Sequence, residues 1–178
     1  RVLFSITTAP AFRRQAFVAL GQHPTQGRPT RIEDFGDFVR TLATRYRGRI
    51  HALELWNEPN LIIEWGDTLD ARNYVALLRS GYTAAKRVDP DLLVISAGVA
   101  PTGFDTLWTH VDDSAYLRQA LGAGLARATD CIGAHANGPD GIGDLRNVVE
   151  RYQALSGTTL PVCVTEFGHA VAVAGQAP

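Results

Sequence analysis

The sequence predicts an α/β fold in which a parallel sheet is covered by helices. Three observations lead there. Short apolar, β-prone runs recur along the chain: "VLFSIT", "RIHALELW", "LLVISAG", "CIGAHA" and "PVCVTEF". The segments between them carry apolar residues at helical spacing. The runs follow one another at about 30 to 45 residues, the length of a βα unit. Near-continuous apolar strands alternating with amphipathic helices imply a parallel sheet buried on both faces. Two architectures fit, an open doubly wound sheet or part of a (βα)8 barrel. No Gly-x-Gly-x-x-Gly follows the first run and no Gly-x-x-x-x-Gly-Lys-Ser/Thr occurs, which lowers the weight of the nucleotide-binding open sheets.

Each element has a local reason. Residues 2–7 form the first strand, before a turn at Pro10. Residues 30–47 read as a helix, with Ile32, Phe35, Phe38, Val39, Leu42 and Tyr46 on one face and a capping box between Thr30 and Glu33. Residues 49–56 are the second strand. Asp70 is placed to cap a helix bearing Tyr74, Leu77, Leu78 and Tyr82, which ends by Pro90. Residues 92–98 are the third strand, followed by a loop rich in Pro, Gly and aromatic residues. Residues 113–128 read as a helix, 131–136 as the fourth strand, 144–155 as a helix with Gly157 near its end, and 161–167 as the fifth strand. Composition does not shift along the chain and no low-complexity linker interrupts it, so residues 1–178 read as a single domain.

Composition excludes several classes of function. The 178 residues are 46% hydrophobic and 20% charged, with a formal net charge of −1. Nothing in that balance draws the chain to nucleic acid or an anionic membrane. No apolar run approaches the ~20 residues of a membrane span. The chain starts with Arg1, and its first segment reads as strand and turn rather than signal peptide, so it is expected to begin inside a longer protein. Cys131 and Cys163 have no metal-site spacing and lie in apolar runs, which reads as buried free thiols. Strand parity puts Cys131 on the face of His135, and Cys163 on the face opposite Glu166. The two are therefore expected on opposite sides of the sheet, without a disulfide.

The polar residues that break the apolar runs fall at strand ends. Asn57 and Glu58 follow the second run in "ELWNEPN", His135 and Asn137 close the fourth, and Glu166 closes the fifth in "VTEFG". The C-terminal strand ends are where parallel α/β folds place their sites. Glu54, Trp56 and Glu58 share one parity, and Val162, Val164 and Glu166 another. If those faces point into a barrel, Glu58 and Glu166 converge above its core. Two such carboxyl groups can divide the work of glycosidic bond hydrolysis. One gives a proton to the leaving oxygen, and the other attacks the anomeric carbon. Glu54 reads as an inward-facing structural carboxylate rather than a third catalytic group.

"WNEPN" followed far downstream by "TEFG" resembles the clan A glycoside hydrolases. The resemblance implies a retaining enzyme on a (βα)8 TIM barrel, with this chain covering about strands three to seven. It implies that Glu58 is the acid/base, Asn57 the partner of the sugar 2-hydroxyl, and Glu166 the nucleophile about 5–5.5 Å from Glu58. The pattern leans toward cellulase-like and β-xylosidase-like enzymes. It implies a β-linked carbohydrate substrate, no metal or organic cofactor, and a lean toward secretion. Strands one, two and eight have no counterpart, and with them the Arg and Trp that the clan usually contributes. At strand six, many members place a Tyr against the nucleophile, where this chain has "HANG".

Other residues read less specifically. His135 is a candidate site residue, with Asn137 beside it. Trp65 and Trp108 lie in loops after strand ends, where an indole can stack on a sugar ring or pack beneath its own loop. His110 and His169 read as surface histidines, and Arg13 and Arg14 as solvated. The rival to an enzyme is a catalytically silent barrel fragment or sugar-binding relic, since five strands of eight leave two sheet edges open.

Overall fold

A computed structural model of the chain describes residues 1–14, 26–106, 109–138 and 141–168. Five strands alternate with helices. They are β1 (Leu3–Ile6), β2 (Ala52–Leu55), β3 (Leu93–Ser96), β4 (Ile132–Asn137) and β5 (Val162–Gly168). The helices are α1 (Ile32–Arg45), a single turn α2 (Ile62–Trp65), α3 (Ala71–Val88), α4 (Asp113–Gly122) and α5 (Leu145–Ser156). All strand pairs are parallel, in the order β1-β2-β3 and β4-β5. Bridges Ile95–Cys131 and Val99–Ala134 join the two pieces, so the strands run side by side in chain order. This is a mixed α/β fold with short parallel sheets, the pattern of part of a barrel.

Helix ends follow local chemistry. The side chains of Asp70, Asp112 and Asp144 accept from the backbone N–H groups of Arg72, Ala115 and Asn147, capping α3, α4 and α5. The helix expected over 113–128 stops at Gly122. Gly124 adopts φ +95°, which a side chain would resist, and a 3₁₀ turn, Leu125–Arg127, follows. The capping box expected at Thr30 does not form. Arg31 is the N-cap of α1, and the Thr30 hydroxyl donates instead to the Arg13 carbonyl at 2.8 Å. Arg13 is an exposed ion-pair partner of Asp34, whereas Arg14 is buried and donates to the Gln26 carbonyl, contrary to the solvated reading.

The main apolar core lies between the outer face of the strands and the helices. Leu53, Leu55, Val94, Ile132 and Ala134 meet Phe35 and Val39 of α1, Tyr74, Leu77 and Leu78 of α3, Leu117 of α4 and Val148 and Tyr152 of α5. A smaller cluster of Ala52, Ile95, Cys131 and Cys163 fills the opposite, concave face.

That inner cluster overturns the cysteine expectation. Cys131 and Cys163 form a disulfide, with Cα atoms 5.9 Å apart. The parity count failed because β5 is not regular. Ala134 pairs with Val164, but His135 pairs with Glu166, so Thr165 is an extra residue in the ladder. Such a bulge lets two consecutive residues turn to one face. Cys163 and Thr165 face inward by ordinary alternation, and Glu166 joins them only because of the bulge. Denatured without reductant, the protein is expected to show no free thiol in an Ellman titration. A Cys131→Ala/Cys163→Ala variant should lose about 3–4 kcal/mol in chemical denaturation, since the residues are 32 apart in sequence. Two titratable thiols would contradict the pairing.

Candidate active site

The concave face carries one buried carboxylate at its centre. Glu54 accepts from Ser5 Oγ of β1 at 2.8 Å, from Thr165 Oγ1 of β5 at 2.5 Å and from the backbone N–H of Gly98, just past β3, at 3.0 Å. His135 Nε2 of β4 lies 3.7 Å from it. Burial opposes the charge, but contacts with His135, Thr165, Gly98 and Ser5 outweigh it and hold the Glu54 carboxyl below its ordinary range. Glu54 is thus the inward structural carboxylate expected from the sequence.

His135 is the next layer toward the rim. Its side chain is 1% exposed, and Nδ1 lies 3.0 Å from Glu58 and 3.9 Å from Glu166. Burial alone would lower the imidazole pKa. The hydrogen bonds and charges of Glu54 and Glu58 reverse this and hold it up at about 9. The ring has room only because residue 98 is glycine, since a Cβ there would overlap His135 Cδ2 and Nε2.

Glu58 reaches this point through an irregular turn. Strand alternation ends at Leu55. Trp56 takes φ +91° and Glu58 φ +37°, both outside the usual region for residues with side chains. Backbone bonds tie the turn down on both sides, from Trp56 N–H to the Ile6 carbonyl and from Glu58 N–H to the Gly98 carbonyl. The Trp56 indole packs edge to face against Phe35 and Trp65. Asn60 fixes the far end of the turn. Its buried amide donates to the carbonyls of Ala100 and Val111 and accepts from Ala100 N–H.

Glu166 stands at the end of β5 with its side chain 52% exposed. Asn137 Nδ2 donates to it at 2.8 Å. Glu58, His135 and Glu166 each bring one ligating atom to within 4.8 Å of the others. With its pKa held up at about 9, the imidazole stands as a cation between the two carboxylates.

Of the residues singled out in the sequence, Glu58, Glu166, His135 and Asn137 come together at one end of the sheet. Asn57 stands half-buried immediately before Glu58 in the same turn. Trp65 does not belong to the group. It is fully buried against Trp56 and Tyr74, so it cannot stack on a ligand. Trp108 and His169 lie outside the described residues. Three polar residues escaped the sequence reading. Ser5 has inward parity, which could have found it. Thr165 has the parity opposite to Glu166, so a regular strand could not put both inward, and the bulge that does so left no signal in the sequence. Glu64 is a lone charge inside the apolar run "LIIEW", which is a signal, though a weak one.

No protein-family model matches the sequence, and no curated protein matches it. Solved structures do match by fold. A GH39 β-xylosidase from Caulobacter crescentus superposes with a TM-score of 0.59 and 23% identity, covering 83% of this chain and 32% of that one. A GH10 xylanase from Thermobacillus composti gives 0.51 and 18%, covering 83% of this chain and 43% of that one. A GH10 structure from Paenibacillus barcinonensis gives 0.56 and 17%, with 82% and 44% covered. The fold is therefore similar to part of the barrels in these structures. The chain spans less than half the length of each of these structures. Among the described residues, no helix is long and apolar enough to cross a membrane.

The ion-pair cluster makes stability depend on pH. His135 has a folded pKa of about 9 against an ordinary 6.5. Its contribution is fully present below the lower value and is lost as pH rises through the upper one. Urea denaturation should show a loss of up to about 3 kcal/mol between pH 6 and pH 10. In a His135→Gln variant that slope should flatten. An unchanged slope would mean that His135 is not held charged between the glutamates.

Proposed function

We propose that this chain carries the catalytic centre of a retaining glycoside hydrolase acting on β-linked oligo- or polysaccharides. The observation that carries the reading is the approach of Glu58 and Glu166 carboxylate oxygens to within 4.8 Å at strand ends of a partial glycosidase barrel. Retaining enzymes hold their two carboxyl groups about 5–5.5 Å apart, whereas inverting ones leave room for a water between them.

In the first step Glu166 attacks the anomeric carbon and forms a glycosyl ester. The glycosidic bond breaks, and Glu58 gives its proton to the departing oxygen. In the second step Glu58 takes a proton from water, the water oxygen attacks the same carbon, and Glu166 leaves as carboxylate. Asn57 holds the hydroxyl next to the anomeric carbon. Asn137 orients Glu166 through its 2.8 Å hydrogen bond, in the place where many clan A enzymes use Tyr. His135 donates to Glu58 whenever that group is ionised, so the charge that appears on Glu58 at each turnover meets a fixed cation.

A second reading has its own support. Glu166 is half exposed, and its neighbour Phe167 is 77% exposed on an open sheet edge. A nucleophile so loosely walled suits a catalytically silent barrel piece, because a misplacement of about 1 Å can cost on the order of 100-fold in rate.

Nitrophenyl β-xylosides and β-glucosides with added azide separate these readings. Glu166→Ala should abolish turnover and, with azide, yield a glycosyl azide of inverted configuration. Glu58→Ala should keep the first step on these activated substrates and slow the second by about 10²–10⁴-fold. Azide should restore that second step with net retention. In the wild type, a 2-deoxy-2-fluoro glycoside should leave an ester on Glu166, visible by peptide mass mapping. Absence of both turnover and labelling would favour the silent reading. Azide products of the opposite configurations would exchange the two roles.

A further inference from the structure

Asn137 holds Glu166, yet both residues are exposed at the ends of their strands. A bond between two exposed side chains gains little by itself and stays ordered only where the backbone beneath it is fixed. Asn is also much shorter than the Tyr that many clan A enzymes place here. Less of its reach comes from the side chain, and more from where its backbone stands. The 3₁₀ turn Gly141–Gly143 lies directly against that backbone. Gly143 is buried, and a Cβ there would stand 3.0 Å from the Asn137 carbonyl oxygen and 3.2 Å from its carbon. The turn and the end of β4 therefore touch with no side chain between them.

Two side chains of α5 staple this turn. Asn147 and Arg151 stand one helical turn apart and share a face. Asn147 Nδ2 donates to the Gly141 carbonyl at 2.7 Å. Arg151 Nη1 and Nη2 both donate to the Ile142 carbonyl at 3.2 Å, and Nη1 also donates to Asn147 Oδ1 at 3.1 Å. The guanidinium is itself fixed from below. Its Nη2 donates at 2.6 Å to Asp113, which is fully buried. Asp113 also accepts from the Tyr152 hydroxyl at 2.9 Å and from the Gly103 N–H at 3.2 Å. A buried carboxylate so fully bonded is a rigid point, and the planar guanidinium carries that rigidity to the turn.

Starting α5 does not need these bonds. Asp144 already caps the helix by accepting from the Asn147 N–H at 3.1 Å, and the bonds to Gly141 and Ile142 come in addition. We propose that Arg151, together with Asn147, is a positioning residue: through the Gly141–Gly143 turn it holds the Asn137 backbone where its amide meets Glu166. The catalytic consequence rests on the glycosidase reading above, whereas the hold on Asn137 does not.

The hold is read in the 178-residue chain by the side-chain ¹⁵NH₂ signals of Asn137. Glu166→Gln gives the direction in which they move when the carboxylate is lost. Asn147→Ala removes the bond to Gly141 and leaves the buried Asp113–Arg151 pair intact. Arg151→Lys keeps a charge beside Asp113 and loses the fork on Ile142. Both variants should move the Asn137 signals in the Glu166→Gln direction. Signals that stay at their wild-type positions in both folded variants overturn the proposal. The consequence for catalysis is read as the rate at which the 2-deoxy-2-fluoro glycoside labels Glu166. Each variant should slow labelling on the order of 10-fold or more. In an Asn137→Ala background the same substitutions should cost close to nothing further, because the residue they act through is gone. Losses that add in full in that background would make Asn147 and Arg151 general supports of the fold and overturn the proposal. A wild type without labelling or turnover, in which the Asn137 signals still follow Asn147→Ala and Arg151→Lys, would refute the glycosidase reading and leave the hold on Asn137 standing.

Discussion

Glu54 organises this structure. It stands on β2, and its carboxylate meets groups from the other four strands: Ser5 from β1, the Gly98 N–H beyond β3, His135 from β4 and Thr165 from β5. A buried carboxylate is tolerated only when its lone pairs are filled and its charge is opposed. Satisfying Glu54 therefore requires all five strands to bend around one point. Apolar packing of the helices could hold a sheet of many curvatures. The central ion cluster selects the one in which Ser5 and Thr165 reach the two oxygens of the same carboxylate.

From that point the charges stack outward. Glu54 holds His135 as a cation, and His135 holds Glu58 at 3.0 Å. The disulfide sits below, joining the strands that carry His135 and Glu166. The charge on His135 and the place of Glu58 are thus set from the interior of the sheet. His135 Nδ1 thus lies ready as a donor to the Glu58 carboxyl. The weaker side of the arrangement is β5, where Glu166 is held by Asn137 but has an open edge beside it.

The site lies where the regular elements break. The bulge at Thr165 turns Glu166 inward, and the positive φ angles at Trp56 and Glu58 turn the end of β2. Such backbone conformations cost energy and persist only where surrounding contacts over-determine them. Here the contacts are the two backbone bonds that tie the turn to β1 and β3, the aromatic cluster of Phe35, Trp56 and Trp65, and the amide of Asn60. Trp65, a candidate sugar platform in the sequence, serves instead as the anchor of the loop that carries Glu64.

What the sequence by itself determined is everything that depends on local pattern. Apolar runs and helical periodicity located the five described strands and four main helices, with the helix after Asp113 ending six residues short of its expected end. Asp70 was legible as a cap because an N-cap needs only the next turn of chain. Glu58, His135, Asn137 and Glu166 stood out because a charge or amide at the end of a buried strand has no local partner. Only the tertiary structure decided which groups meet. Parity is a local rule, and one extra residue in β5 broke it, which set Glu166 on the same side as Thr165 and as Cys163, the partner of Cys131. Whether a loop Trp faces solvent or core depends on the helix that arrives beneath it, so Trp65 could not be placed from its neighbours in sequence. The charge on His135 is likewise a tertiary property, because it comes from Glu54 and Glu58, which stand on a different strand and its following turn.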